Sequence, residues 1–541
     1  MQEAIQDSSP KTINRTMVLI GLIIGMLFSA LEQTIVGTAM PTIIKDLNGF
    51  SIFAWVTTAY LITSTTVVPI VGKLADMYGR RLFYLLGVLI FVAGSFLCAT
   101  AMTMEQLVLY RAVQGIGGGM LMPLSQTIVG DIFNAEQRAK WQGVFGGIFG
   151  LSSVIGPFIG GFIVDHVQWH WIFLINVPVG LLSGILIFFG MKHELVAKHK
   201  AVIDWWGIVT FVPAIVLLLL GLTFGGKNFA WASVESFLIF GGAIVLTALF
   251  LIIEKKAKEP ILDLSLFKNR VFATTNILGF LVGMGMFGAI MFVPMFMQAI
   301  LGVSPTKAGS TMTPMMLSLI AASIVGGQLL LRIRYRTVLI SGMVIGALGF
   351  FLMSTMGTHT TQLTVNMYMI ILGLGMGLVM PTLMIAVQNQ FPREQLGTVT
   401  SASTFFRSIG STIGVTVLNV VMNHALASKM DEALKSDQVT NNPVLSGIMS
   451  KLSEKVDDLF TIMLAPQALQ LEADIKETVL NLIKTVWTEA FSIVFWAGLI
   501  FIVLGVLTAC FVGNGRISRE QMPQRGKKKA KDQEPEPATE V

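Results

Sequence analysis

In the stretch LEQTIVGTAMP, Leu31 to Pro41, a carboxylate follows the chargeless run MVLIGLIIGMLFSA, Met17 to Ala30. Glu32 is the one acid well inside an apolar segment of membrane-spanning length. A basic counterpart stands in LVLYRAVQGIGGGMLMP, Leu107 to Pro123, at Arg111. An arginine near mid-bilayer costs about 2.5 kcal/mol or more unless it is paired, so Arg111 is expected to face an aqueous cavity, across from Glu32. The plainer reading is a guanidinium that snorkels from a helix end. Arg407, in STFFRSIGSTIG, carries the same two readings. Burial disfavours a carboxylate's charge and a nearby cation favours it. A carboxylate balanced between the two exchanges protons near neutral pH; one held permanently by Arg111 is only structural.

The elements that position these residues follow from composition. The chain has 541 residues, 54% hydrophobic and 13% charged, with a mean hydropathy of +0.74. Soluble domains carry about a quarter charged residues, so this is an all-α integral membrane protein. A spanning helix needs about 20 mostly apolar residues, and fourteen such segments run from 16–39 to 489–512. The first is too long for a cleaved signal peptide and reads as a retained spanner. Alternate loops are basic, with Lys73, Arg80 and Arg81, then Arg138 and Lys140, then Arg332, Arg334 and Arg336. The short loops between them hold Lys45, Lys227 and Lys307. The positive-inside rule then places both termini in the cytoplasm. The net charge of +6 is cytoplasmic-face basicity and does not argue for nucleic acid. The basic run Arg525 to Lys531, in a disordered tail over 513–541, suits anionic lipid head groups. Cys98 and Cys510 both fall in apolar segments and make no disulfide framework.

The chain also repeats itself. At an offset of 255, Gly72, Arg81, Gly87 and Gly94 fall on Gly327, Arg336, Gly342 and Gly349; at 258, Gly115, Gly117, Gly119, Pro123 and Phe133 fall on Gly373, Gly375, Gly377, Pro381 and Phe391. The economical division is two six-helix halves, 1–190 and 271–512, with two inserted helices in 191–270. Repeated halves flanking a midplane site are a transporter architecture. A long outer loop over 425–488 interrupts the second half. There Leu445, Met449, Leu452, Val456, Leu459 and Met463 recur at helical spacing and predict an amphipathic helix.

The loop GKLADMYGRRLF, Gly72 to Phe83, resembles the signature of the major facilitator superfamily through Gly72, Leu74, Asp76, Gly79, Arg80 and Arg81, with Met77 where a basic residue is usual. The resemblance implies an inner-gate latch in which Asp76 caps a helix N-terminus and Arg80 pairs with Asp131; an ordinary charged turn is the alternative. Arg111, Gln114, Gly115 and Gly117 resemble the superfamily's R-x-x-Q-G-x-G motif. Gly156, Pro157, Gly160 and Gly161 resemble its antiporter helix signature, which implies a close-packed, kinked pivot. WHWIFLINVPVG, Trp169 to Gly180, is similar to the fourteen-spanner drug:proton antiporters, with His170 where arginine is usual. LEQTIVGTAMP is similar to the same family's first helix, with Glu32 for the usual Asp.

The resemblance implies a major facilitator fold with 14 transmembrane helices and a bacterial plasma-membrane protein that exports lipophilic, cationic drugs in exchange for protons. Proton and cation would compete for Glu32, and that competition would couple the two fluxes. The alternative is a dedicated exporter of one physiological solute such as a lipid, siderophore or signalling metabolite. The chain is rich in Met, with 31 residues, and methionine adapts to varied partners. Tyr60, Phe287, Met291, Phe405, Phe406 and Arg407 join Glu32 as the expected substrate contacts, and Glu32 with Arg111 form the proton-coupling pair. Asn228 spoils the P-loop likeness of GLTFGGKN, and GMGMFG lies inside a spanner with no preceding strand, so neither binds a nucleotide. No catalytic residues, metal ligands or cofactor are expected. The partners are a small molecule, protons and membrane lipids, and the protein is expected to be a monomer.

Overall fold

The computed structural model describes residues 14–47, 52–133, 135–191, 202–226, 229–330, 332–453, 473–513, and the single positions 463 and 515. Among these the chain is helical, with no strand beyond one isolated bridge, Gly225 to Phe229. The first group of helices is α1 Arg15–Leu47, α2 Ala54–Tyr78, α3 Arg80–Ala99, α4 Met104–Ile132, α5 Ala135–His166, α6 His170–Leu174 and α7 Asn176–Gly190. Then come α8 Trp205–Phe224 and α9 Val234–Glu254. The last group is α10 Arg270–Ala299, α11 Pro305–Ser310, α12 Met312–Leu329, α13 Tyr335–Ser354, α14 Gln362–Gln388, α15 Leu396–Leu434, α16 Asp437–Thr440, α17 Pro443–Ser453 and α18 Ala473–Ala509.

Helix starts follow local chemistry. Thr103, Asp204, Ser233, Asn269 and Thr361 each accept a backbone N–H of the first turn of α4, α8, α9, α10 and α14, satisfying donors a helix leaves open. The turn from α2 to α3 is a single residue, Gly79, at φ 103°, a conformation side chains with a Cβ rarely adopt.

Among the described residues, 12 helical segments are long and apolar enough to cross a membrane, against the fourteen read from sequence. The two that do not qualify are α4 and α5, at 29 and 32 residues. Gly, Gln, Arg and Pro dilute the apolar content of α4, whereas α5 is apolar over 145–164 and several of its side chains lie outside the described residues. Two expected spanners are broken, at Ile175 between α6 and α7 and at Thr311 between α11 and α12. Much of 425–488 continues its neighbours: α15 runs on to Leu434 and α18 begins at Ala473. Between them α17 buries Leu445 and Met449 in the same core as Phe292, Met343 and Phe491. Val456, Leu459 and the tail over 516–541 lie outside the described residues.

The helices before α8 pack around Tyr84, Phe91 and Leu121, and those from α10 around Phe292, Met343, Met369 and Phe491. The two sets meet where α2 lies along α15 and α5 along α12. Helix α8 bridges them, packing Phe211 and Ile215 with Ile62 of α2 and with Phe405 and Ile409 of α15.

The sequence repeat reappears as repeated contacts. A Cβ built on Gly117 of α4 would stand 2.7 Å from the Gly87 carbonyl oxygen of α3, and one on Gly375 of α14 would stand 2.7 Å from the Gly342 oxygen of α13. Likewise Gly115 abuts the backbone of Tyr60 in α2, and Gly373 that of Met315 in α12. Close backbone approach through small residues drives helix association in lipid. Gly117→Ala and Gly375→Ala are therefore expected to cost about 1–3 kcal/mol each, whereas Gly37→Ala, whose Cβ would meet nothing within 4 Å, should not destabilise. Thermal unfolding midpoints of the three variants in detergent check this.

Candidate functional site

Glu32 and Arg111 are each 1% exposed and in direct contact, with Arg111 Nη1 2.7 Å from Glu32 Oε1. The second carboxylate oxygen accepts from Asn176 Nδ2 at 2.5 Å. The same Nη1 donates to Gln114 Oε1 at 2.6 Å, and Arg111 Nε donates to the Val56 carbonyl at 3.3 Å. Gln114 in turn donates to Ser95 Oγ at 2.7 Å. The guanidinium lies over the Tyr60 ring, 4.3 Å from its centroid. Five helices thus converge on one ion pair: α1, α2, α3, α4 and α7. A buried pair is tolerated when its remaining hydrogen-bonding capacity is filled this way, and removing one partner then costs about 3–5 kcal/mol.

A cavity of about 930 Å³ lies between the two helix sets. Its wall includes Ser29, Gln33, Tyr60, Gln126, Phe287, Met291, Met316, Met380, Met384 and Arg407, and α8 adds Leu219, Leu222 and Thr223. On α15 it extends from Thr404 to His424, roughly 30 Å of helix at 1.5 Å per residue.

Below Thr404 the sets are joined. Asp76 accepts from Gly397 N at 2.8 Å, Thr398 N at 2.6 Å and Thr398 Oγ1 at 2.8 Å, capping the start of α15. An anion suits that position because helix N-termini are electropositive. Arg80 holds Asp76 at 2.8 Å, Asp131 at 2.6 Å and the Arg393 carbonyl at 2.8 Å. Gly72 lets α2 close on α15, since a Cβ on Gly397 would stand 2.6 Å from the Gly72 oxygen. Above this layer Gln388 donates to Thr400 Oγ1 at 3.1 Å and to the Gln126 carbonyl at 3.5 Å. Beside it Arg138 donates to Asn389 Oδ1 at 3.4 Å.

The family model of the Major Facilitator Superfamily matches residues 22–415. The chain belongs to that superfamily. It is 46% identical over 529 residues to the "Multidrug transporter protein MdtP" of Bacillus subtilis (strain 168), covering 97% of this chain and 96% of that one. It is 38% identical over 510 residues to "Multidrug resistance protein 3" of the same organism, covering 94% and 97%. Among solved structures, the human organic anion transporter MFSD10 superposes with a TM-score of 0.56 at 13% identity, covering 90% of this chain and 99% of that one. The proton:xylose symporter XylE gives 0.55 at 13% identity, covering 77% and 90%. The superfamily is one of transporters, not enzymes, and this is a multi-pass membrane protein.

Several expected placements change. Arg111 does not face the cavity, and Glu32 is not on its wall: α1 presents Met26, Ser29, Ala30 and Gln33 to the cavity, and Glu32 leaves the helix about 100° away from Gln33. Glu32 is therefore not placed to touch substrate, and the case for a cationic substrate loses its carboxylate. Phe405 and Phe406 also miss the cavity, because they pack on Phe211 at 5.4 Å and Phe267 at 5.7 Å between ring centroids. Tyr60, Phe287, Met291 and Arg407 do line it. Arg81 donates to the Phe188 carbonyl at 3.0 Å and lies over that ring, a contact inside the first helix set. Gly156 packs on Thr34 of α1, Gly160 is buried, and Gly161 has open space beside it. Helix α5 runs unbroken through position 157, and the Pro157 side chain lies outside the described residues. Sequence reasoning overlooked Asn176, a lone amide in an apolar segment and so a mark of a buried polar contact, and Gln388, the first of three successive amides at the end of α14.

Asp76→Ala removes three bonds that hold α2 to α15. A cysteine placed at Gly130, beside Gln388, in a chain lacking Cys510 should then be alkylated on the order of tenfold faster by a membrane-impermeant maleimide added on the α2–α3 loop side. An unchanged rate would show that this contact does not hold the end shut.

Proposed function

We propose that this chain is a proton-coupled antiporter that exports lipophilic compounds across the plasma membrane by alternating access. The observation that carries the reading is an acid–base pair, Glu32 with Arg111, one aromatic layer behind a large Met- and Phe-lined cavity. Tyr60 is that layer: it lines the cavity on one side and stacks on Arg111 on the other.

In this reading a proton reaches Glu32 from the cavity past Tyr60, where the Ser29 and Gln33 side chains flank the phenol. Neutral Glu32 no longer holds Arg111 as an ion. Helix α1 carries Glu32 on one face and Ser29 and Gln33 on the face toward the cavity, so a change at the pair is felt at the substrate surface. Gly156 of α5, packed on Thr34 two residues past Glu32 on α1, passes that change to the α5–α12 boundary. The Asp76 cap and the Arg80–Asp131 pair then release, and the seal moves to the opposite end.

The halves 1–190 and 271–512 are the moving bodies, and 191–270 supplies α8 and α9. The matched glycine contacts of α3–α4 and α13–α14 support that division. We assign α4 and α5 as spanning helices as well, which brings the count to fourteen. An even count returns both termini to one side, and the basic loops make that side the cytoplasm. The multidrug relatives, and methionines that fit irregular partners, favour varied lipophilic substrates. The protein acts as a monomer with protons, lipids and small molecules as its partners.

Glu32→Gln should lower dye efflux driven by a pH gradient at least about tenfold, since a residue essential to coupling cannot be bypassed by binding alone. Dye exchange in the absence of a gradient should survive, because it needs no proton. Gradient-driven dye uptake into inside-out vesicles measures the first, and exchange from dye-loaded vesicles without a gradient measures the second. Gradient-driven efflux at the parent rate would remove Glu32 from the coupling role.

A further inference from the structure

Apart from the Tyr60 phenol, the ionisable side chains on the described wall of the cavity are Arg407 and His424; no aspartate, glutamate or lysine is among them. Arg407 projects from the first third of α15, one turn beyond Thr404. Its hydrogen bond is to Met380 Sδ at 3.7 Å, and a thioether is a weak acceptor. Among the described residues it forms no salt bridge. This contrasts with Arg111, whose charge is met by a carboxylate and whose other donors meet an amide and a backbone oxygen. A guanidinium keeps its charge at any physiological pH and presents a planar fork of donors matched to carboxylate, sulfonate or phosphate oxygens. At membrane depth an arginine without a counter-charge is costly, so an anion arriving beside it is favoured. A cleft of one sign with low-dielectric walls strengthens that preference.

The surroundings complete the site. Ser408, Ser411 and Thr412 share the cavity-facing surface of α15 with Arg407, and Gln126 faces them from α4 beside Thr404. These groups supply further hydrogen bonds to oxygens. The apolar body of a ligand has Phe287, Met291, Met316 and Met384 to rest on.

We propose that the cavity recognises lipophilic anions, compounds with a carboxylate, sulfonate or phosphate on an apolar frame, and that Arg407 is the anion-binding group. This names the substrate class of the exporter proposed above and rests on that reading of the cavity. It also separates two tasks: Glu32 handles the proton behind Tyr60, and Arg407 handles the substrate charge in front of it.

Two dyes of matched shape test it. 8-Anilinonaphthalene-1-sulfonate is N-phenyl-1-naphthylamine with one added sulfonate. In inside-out vesicles, with protein-free vesicles as background, the intact protein should move the sulfonate with a KM roughly tenfold or more below that of the neutral dye, the size of one charge-assisted contact. Arg407→Gln should bring the ratio close to one, and Arg407→Lys should keep part of it. Equal KM values in the intact protein, or a ratio unaltered by Arg407→Gln, would overturn the proposal while leaving an efflux pump. If the intact protein moves neither dye, the efflux reading fails. Calorimetric titration of both dyes into the protein in lipid nanodiscs then decides the anion site: a sulfonate preference lost in Arg407→Gln upholds it, and no preference overturns it.

Discussion

Everything in this molecule is arranged around one constraint: inside a bilayer no water can stand in for a missing polar partner. The Glu32–Arg111 pair shows how strictly that is met. Each oxygen of Glu32 has its own donor, and Arg111 is spread over an acid, an amide, a backbone carbonyl and an aromatic face. The pair ties α1 to α4, Asn176 ties in α7, and Ser95 reaches the network through Gln114. The packing of the first helix set therefore has a polar centre whose loss would leave a charge stranded.

The same constraint explains why, among the described residues, the hydrogen bonds between the two helix sets cluster at one end. Over the length of α15 that lines the cavity, polar side chains face open space and need no partner across it. Where the sets close, the charged groups and the buried amide are matched. Asp76 takes the amides that begin α15, Arg80 bridges Asp76 and Asp131, and Gln388 reaches from α14 to α4 and α15. Such contacts are reversible, because the groups involved become hydrated when the end opens. A hydrophobic seal of equal area would be harder to part. In the proposed cycle that reversibility is what lets the chain alternate.

Much of this was legible beforehand, and the reasons are local. Apolar stretches as long as a bilayer is thick can hardly be anything but spanning helices, and a motif such as GKLADMYGRRLF binds residue type to spacing so tightly that Asp76 and Arg80 could be assigned partners in advance. The cross-helix glycine contacts were visible as matched offsets. What was not legible was direction. Periodicity identifies which residues share a face of α1, but it does not say which face meets the cavity, and so Glu32 was placed one face away from where it lies. Phe405 and Phe406 failed for the same reason, their faces being claimed by α8 and by Phe267. Helix α4 shows a different limit: the glycines, amides and arginine that let it pack among its neighbours are what thin its apolar signal. The extents of α15 and α18 beyond the bilayer are a third case, since a helix entering water loses its apolar stripe without ending.

The repeat, finally, is one of shape and not of chemistry. The offset that aligns α4 with α14 sets Arg111 on Met369 and Gln114 on Leu372, and both of those are fully buried hydrophobes in the second core. The offset that aligns the α2–α3 loop sets Asp76 on Leu331. The glycines that govern how closely backbones approach are shared by both halves, whereas Asp76 and Arg111 have apolar counterparts in the second. Close backbone packing is needed equally in both helix sets, so the small residues that permit it recur in register. In the proposed cycle a proton site is needed once. A second buried ion pair would add a desolvation penalty with nothing to couple to, and methionine and leucine fill the same volume without it. The half freed of that chemistry is the one that carries Arg407 and most of the methionines on the cavity wall.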